Sequence, residues 1–238
     1  MSKVLVNFIQ DRSGSMRSVW DETLNGFKSF VNELRAKGKH DGTEYLFSLT
    51  TFDTLVESPI VAQPIETVDP AVLSKHGPRG STALYDAVGA TIQNVDADRR
   101  GTEKVIIVVV TDGHENSSRE WSKENLHTAI DARLRAGDWT FTYLGTQPET
   151  WDDASVLGLQ VGAVSRYNGA RSAEAYCAVA DAINQFSASP LRGTRNLMKD
   201  FLPDAVAAAA GMEKRKPESD KHPESKTGGS ESKKGRWR

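Results

Sequence analysis

The sequence predicts an α/β fold: a doubly wound, mostly parallel open sheet with one antiparallel edge strand and helices on both faces. Three observations carry that prediction. The apolar runs at residues 4–9 and 105–110 read as strands covered on both faces. Segments with helical spacing alternate with them, an order that creates crossover connections and parallel pairing. Residues 44–52 and 54–60 are separated by Asp53 alone, too little chain for a crossover helix, so they pair as an antiparallel hairpin at a sheet edge.

Each element has its own signal. After the first strand, Trp20, Leu24, Phe27, Val31 and Leu34 recur at spacings of four and three, one face of an amphipathic helix ending near Gly38. Past the hairpin, Pro64, Pro70 and Pro78 mark irregular chain, and Leu84, Val88, Ile92 and Val95 define a second helix. Residues 104–111 form the central strand, rich in β-branched side chains. Leu126, Ile130 and Leu134 build a helix closed by Gly137, and residues 139–144 supply another strand. Thr150 reads as the cap of a short helix, residues 160–164 as a short strand. Tyr176, Val179, Ile183 and Phe186 define the last strong helix, and an Ala-rich helix at 204–210 follows Pro203.

Composition sets limits on function. The 238 residues carry 30 Lys+Arg and 32 Asp+Glu, a net charge of −2, which excludes a uniformly basic nucleic-acid binder. Of these, residues 213–238 hold 9 basic and 5 acidic side chains, leaving 21 and 27 upstream. The organisation expected is a main domain at 1–190, a helical extension at 191–212, and a disordered charged tail at 213–238 whose only large apolar residue is Trp237. Lys-rich tails bind phosphates through counterion release, but the interspersed acids argue against a nucleic-acid arm. The longest apolar run, 105–110, is far short of the roughly 20 residues of a membrane span. The single cysteine, Cys177, and the lack of a charged-then-apolar leader point to the cytoplasm.

Three oxygen-rich segments fall at strand ends or helix starts, where open parallel sheets place their ligands. They are Asp11-Arg12-Ser13-Gly14-Ser15-Met16, Gly80-Ser81-Thr82 and Thr111-Asp112-Gly113. Singly each has a plain explanation: Ser15 and Thr82 as helix caps, Asp112-Gly113 as a turn. Together they supply two carboxylates and three hydroxyls, the hard oxygen donors of a divalent cation such as Mg2+, with Mn2+ or Ca2+ also suited. Two Asp charges neutralise the dication, and the neutral hydroxyls of Ser13, Ser15 and Thr82 leave it able to take a further anion.

Asp11-x-Ser13-x-Ser15, a distant Thr82 and then Asp112-Gly113 resemble the metal-ion-dependent adhesion site (MIDAS) of von Willebrand factor A (vWA) domains over roughly residues 1–190. The resemblance implies a Rossmann-like sheet with one antiparallel edge strand. It implies that Ser13, Ser15 and Thr82 bind the metal directly, that Asp11 and Asp112 act through water, and that a partner's carboxylate completes the shell. The Asp-Arg-Ser-Gly-Ser-Met wording is similar to intracellular bacterial or viral members. Such members work beside AAA+ ATPases of the MoxR type, in metal chelatases or in stress systems such as tellurite resistance.

Other residues could also carry chemistry. His114 and Glu115 follow Asp112-Gly113 and could serve as the base of a metal-dependent hydrolase or phosphoryl-transfer enzyme, the alternative to a non-enzymatic interaction module. Gly77-Pro78-Arg79-Gly80 has the glycines of a phosphate loop without the following Lys-Ser/Thr. Trp121 and Trp151 read as core residues rather than partner anchors. Cys177 reads as a buried inert thiol and His127 as a helix-surface residue.

Overall fold

A computed structural model describes residues 3–101, 103–147, 154–155, 157–159, 163–189 and 201–214. Strand β1 (Lys3–Asp11) leads into helix α1 (Trp20–Asp41), followed by the hairpin β2 (Glu44–Phe52) and β3 (Val56–Pro64). Helix α2 (Leu84–Asp98), β4 (Lys104–Val110), α3 (Lys123–Ala136) and β5 (Trp139–Gly145) continue the alternation. Strand β6 (Val164–Tyr167), α4 (Ser172–Ala188), α5 (Asp204–Ala209) and β7 (Met212–Lys214) complete it. The seven strands lie in the order β3-β2-β1-β4-β5-β6-β7, parallel from β2 to β6 and antiparallel at both edges.

Alternation of side chains along the strands divides the core in two. Val4, Val6 and Phe8 of β1 join Ile106 and Val108 of β4 under α1 and α4. Ile9, Val105, Ile107 and Val109 face the other way, under α2 and α3. Every residue of β4 is buried, as its unbroken apolar run requires. Its first residue, Lys104, directs Nζ to the carbonyls of Phe186 (2.6 Å), Ser187 (3.0 Å) and Ser189 at the end of α4, a cation placed on the negative end of a helix.

The structure corrects several expectations. Helix α1 runs past Gly38 to Asp41 and is closed by Gly42 at φ 67°. Gly38 lies inside the helix, at a position where a Cβ would come within 3.1 Å of the Tyr45 ring. Strand β3 starts at Val56, since Asp53 Oδ1 accepts the Leu55 N–H and holds a turn. A second antiparallel edge strand, β7, pairs with β6 and carries ordered chain two residues beyond the expected boundary at Met212. Within the C-terminal extension, Phe201, Leu202, Ala207 and Met212 belong to the core beneath α1 and α4. The short strand expected at 160–164 is Val164–Tyr167. The helix expected at Thr150, Trp151, and the tail from residue 215 on lie outside the described residues. No helix among the described residues is long and apolar enough to cross a membrane.

Candidate metal centre

The chain leaves β1 for β2 on one side and returns through β4 on the other, so the strand order reverses between β1 and β4. Loops diverging at such a point open a crevice at the carboxyl ends of the strands. Gln10 lies opposite Val110 in the ladder, which puts Asp11 and Thr111-Asp112 side by side as they leave the sheet. Thr111 Oγ1 donates to Asp11 Oδ2 (2.6 Å), and the Ser13 N–H donates to Asp11 Oδ1 (2.6 Å). Ser13 and Ser15 hydroxyls lie 2.9 Å apart, and Ser15 Oγ donates to Asp112 Oδ1 (2.8 Å).

Thr82 arrives from a third loop. The Gly14 N–H donates to the Gly80 carbonyl (3.1 Å) and the Arg79 N–H to the Arg12 carbonyl (2.8 Å), tying that loop to the first. The Thr82 N–H donates to Asn116 Oδ1 (2.9 Å), and its carbonyl accepts the N–H groups of Asn116 and Ser117. A Cβ placed on Gly113 would lie 2.9 Å from Thr82 Oγ1, 3.2 Å from Ser15 Oγ and 3.4 Å from Asp11 Oδ2. Three oxygens from two of the segments thus surround one point on the third, which glycine leaves open. Neither Ser15 nor Thr82 caps a helix: α1 and α2 are preceded by Val19 and Ala83, without side-chain caps.

The electrostatics mark a shortage of positive charge. Asp11 is completely buried, and that burial pushes its carboxyl up to about 6 despite the hydrogen bonds from Thr111 and Ser13. Burial raises Asp112 as well, against the Ser15 hydrogen bond. The hydrogen bonds described for these two carboxylates all come from neutral donors. Arg12, although next in sequence, turns away: its guanidinium is buried against Asp53 (Nε to Oδ2 3.0 Å) and pairs with Glu57, with His76 Nδ1 at 2.9 Å. Among the described residues no three His, Cys, Asp or Glu side chains gather as a metal cluster, so any cation here depends on hydroxyls.

Supporting residues brace the centre: Thr111 fixes Asp11, a role that residue type alone does not announce. Glu115 is a brace: its carboxylate accepts the N–H groups of Tyr85, Ser117 and Ser118 and the Ser118 hydroxyl, at 2.7–2.9 Å. Asp86 in turn accepts the N–H groups of Arg119, Glu120 and Trp121, locking the loop after β4 to the first turn of α2. Trp121 lies on Gly89 of α2, a packing role as expected. Cys177 is half-buried, and burial raises its thiol pKa. His127 is exposed on α3.

The mixed sheet with helices on both faces is a Rossmann-like fold of the von Willebrand factor A type. Among solved structures, a von Willebrand factor type A protein from Catenulispora acidiphila matches with a TM-score of 0.57 at 18% identity, over 78% of this chain and 43% of that one. The pilus adhesin SpaC of Lactobacillus rhamnosus GG matches with a TM-score of 0.60 at 14% identity, over 79% and 31%. Manganese-loaded TRAP protein of Plasmodium vivax matches with a TM-score of 0.53 at 17% identity, over 72% and 71%. The chain thus spans less than half the length of the first two. No protein-family model and no curated protein matches the sequence. At these identities the likeness establishes the fold.

Proposed function

We propose that this chain is a divalent-metal-dependent protein-interaction module, in which Asp11, Ser13, Ser15, Thr82 and Asp112 hold Mg2+ or Mn2+ and an acidic side chain of a partner protein is captured there. The observation that carries the reading is the convergence of Thr82, Ser15 and Asp11 oxygens around Gly113, beside the buried Asp11 and half-buried Asp112 carboxylates, both bonded by neutral donors. A bound cation would supply the missing positive charge and a coordination position for an anionic oxygen. The protein's part is to orient hydroxyls that add no negative charge, keeping the site attractive to a carboxylate. The manganese in the TRAP structure, on the same fold, supports the assignment. A cytoplasmic bacterial or viral setting with a MoxR-type AAA+ ATPase as partner is the form of the proposal that the motif wording favours.

The hydrolase alternative finds less support. The Glu115 carboxylate is engaged by four donors as a structural brace and is poorly placed to abstract a proton. Titration calorimetry with Mg2+ and Mn2+ tests the metal site: Asp11→Ala should abolish binding while circular dichroism stays nearly unchanged. Wild-type affinity in that variant would overturn the assignment. Partner capture is tested by pull-down, which excess chelator should prevent.

A further inference from the structure

We infer that a second site, independent of the candidate metal centre, lies under the C-terminal half of α2 and binds a small organic anion with an apolar body. Helix α2 covers the middle of the sheet, while β2 and β3 extend beyond it toward the edge. The space between them is a cavity of about 350 Å³, within the 300–1,000 Å³ usual for small-molecule sites. Leu5, Leu46, Ile60 and Val95 supply apolar walls. Asn7 lies in the inner wall, four residues before Asp11 and so about 13 Å from it along β1 at roughly 3.3 Å per residue.

Asn7 is the residue that asks for a ligand. It is 4% exposed, and its Nδ2 is buried without a hydrogen-bond partner among the described residues. Leu5 and Ile9 share its face of β1, so an apolar residue would continue the pattern, whereas a buried unpaired amide incurs a desolvation penalty. Neighbouring hydroxyls are already engaged: Thr50 Oγ1 lies 3.1 Å from Thr91 Oγ1, and Ser48 Oγ accepts the Ala62 N–H. Two further buried atoms without hydrogen-bond partners, Arg99 Nε and Glu103 Oε2, lie 4.0 Å apart in the same wall. Arg99 Nε and Glu103 Oε2 form an ion pair with each other, so Asn7 Nδ2 is the atom left without any partner among the described residues; a buried polar atom in that state is rare, and one facing a cavity marks a place where something polar binds. The lining carries three cations, Lys3, Arg99 and Arg100, against Asp98 and Glu103. Arg99 is committed to Asp138 and Lys3 faces Glu44 at 3.6 Å, which leaves Arg100 as the principal contact for an anionic head. The apolar body then rests on the four aliphatic side chains, and an acceptor oxygen takes the Asn7 N–H.

The probe is 8-anilinonaphthalene-1-sulfonate, an aromatic body with a sulfonate, titrated against the full chain by fluorescence in Mg2+ and again in chelator. We expect one saturable site of 1:1 stoichiometry, equal in both buffers. Asn7→Leu should weaken binding about tenfold with an unchanged or higher melting temperature. Ser58→Trp, introduced from the exposed edge strand, should plug the cavity and abolish binding, and it decides the matter if Asn7→Leu fails to fold. Arg100→Glu should weaken binding several-fold. Non-saturable fluorescence, binding lost in chelator, or unchanged affinity in Ser58→Trp would overturn the site. Because the chelator arm removes any metal, failure here leaves the metal-centre proposal standing, and failure there leaves this one.

Discussion

At the residue scale, Asp11 couples the candidate metal centre to stability. Burial holds its carboxyl at about 6, above the ordinary 3.8, so in the metal-free protein its contribution is fully present below pH 3.8 and is lost as pH rises through 6. Holding the carboxyl charged at neutral pH against that burial is a penalty on the order of 3 kcal/mol, which a bound dication would remove. Saturating Mg2+ should therefore raise the melting temperature by several degrees at pH 7.5 and by much less at pH 5, where protons compete for the same oxygens. Asp11→Asn should melt higher than the metal-free wild type at pH 7.5 and gain nothing from Mg2+; an equal Mg2+ increment in both proteins would contradict this. Arg12 is the opposite case. Burial pushes the Asp53 carboxyl up, but the Arg79 hydrogen bond, the Leu55 N–H and the Arg12 charge outweigh it and hold it below the ordinary range. Arg12→Met would leave that buried carboxylate with the Leu55 N–H and the exposed Arg79 in place of a buried cation. We expect a loss of roughly 3–5 kcal/mol in urea denaturation, the scale for breaking a buried pair from one side.

At the element scale, α2 and the loop after β4 act as one unit. Asp86 and Glu115 lace the loop to the first turn of the helix, and Trp121 lies where a Cβ on Gly89 would come within 2.2 Å of its ring. Alanine is worth about 1 kcal/mol more than glycine inside a helix, yet Gly89→Ala should destabilise, because the rigid indole must move and overpacking costs roughly 1–3 kcal/mol. Denaturation monitored by tryptophan emission checks this, with a red-shifted native spectrum as the sign that Trp121 has left its seat; a more stable variant would refute it. Legibility follows the range of the interactions. The elements read from sequence were those with their own period: the all-apolar β4, the four-three spacing of α1, and the Gly137 stop. Strand β7 was missed because Met212-Glu213-Lys214 is too short and too charged to signal a strand, and only pairing with β6 makes it one. The five oxygen-bearing residues of the proposed site stand out in the sequence because each sits in a short local motif. The donor that fixes Asp11, Thr111, lies 100 residues away, and Asn116 lies 34 from Thr82, separations at which residue type gives no hint of contact.

At the scale of the whole molecule, the sheet separates two apolar cores, and the chain's last described residues belong to only one of them. Phe201 and Leu202 are almost completely buried with Phe186 and the other α4 residues, while β7 covers the outer edge of β6. Deleting large buried side chains costs about 2–5 kcal/mol each, and a bared edge strand invites association with other chains. Several such losses together approach the roughly 5–15 kcal/mol that holds an ordinary domain folded. A chain ending at Ser189 should therefore lose its cooperative melting transition, or melt more than about 10 °C lower and aggregate. A chain ending at Lys214 should melt within about 2 °C of the full protein, since residues 215–238 offer Trp237 as their only large apolar side chain. Differential scanning calorimetry of the two truncated chains beside the full one makes the comparison. Equal melting temperatures for all three would show that residues 201–214 are dispensable to the core, and a large drop for the chain ending at Lys214 would assign the charged tail a structural role that its composition argues against.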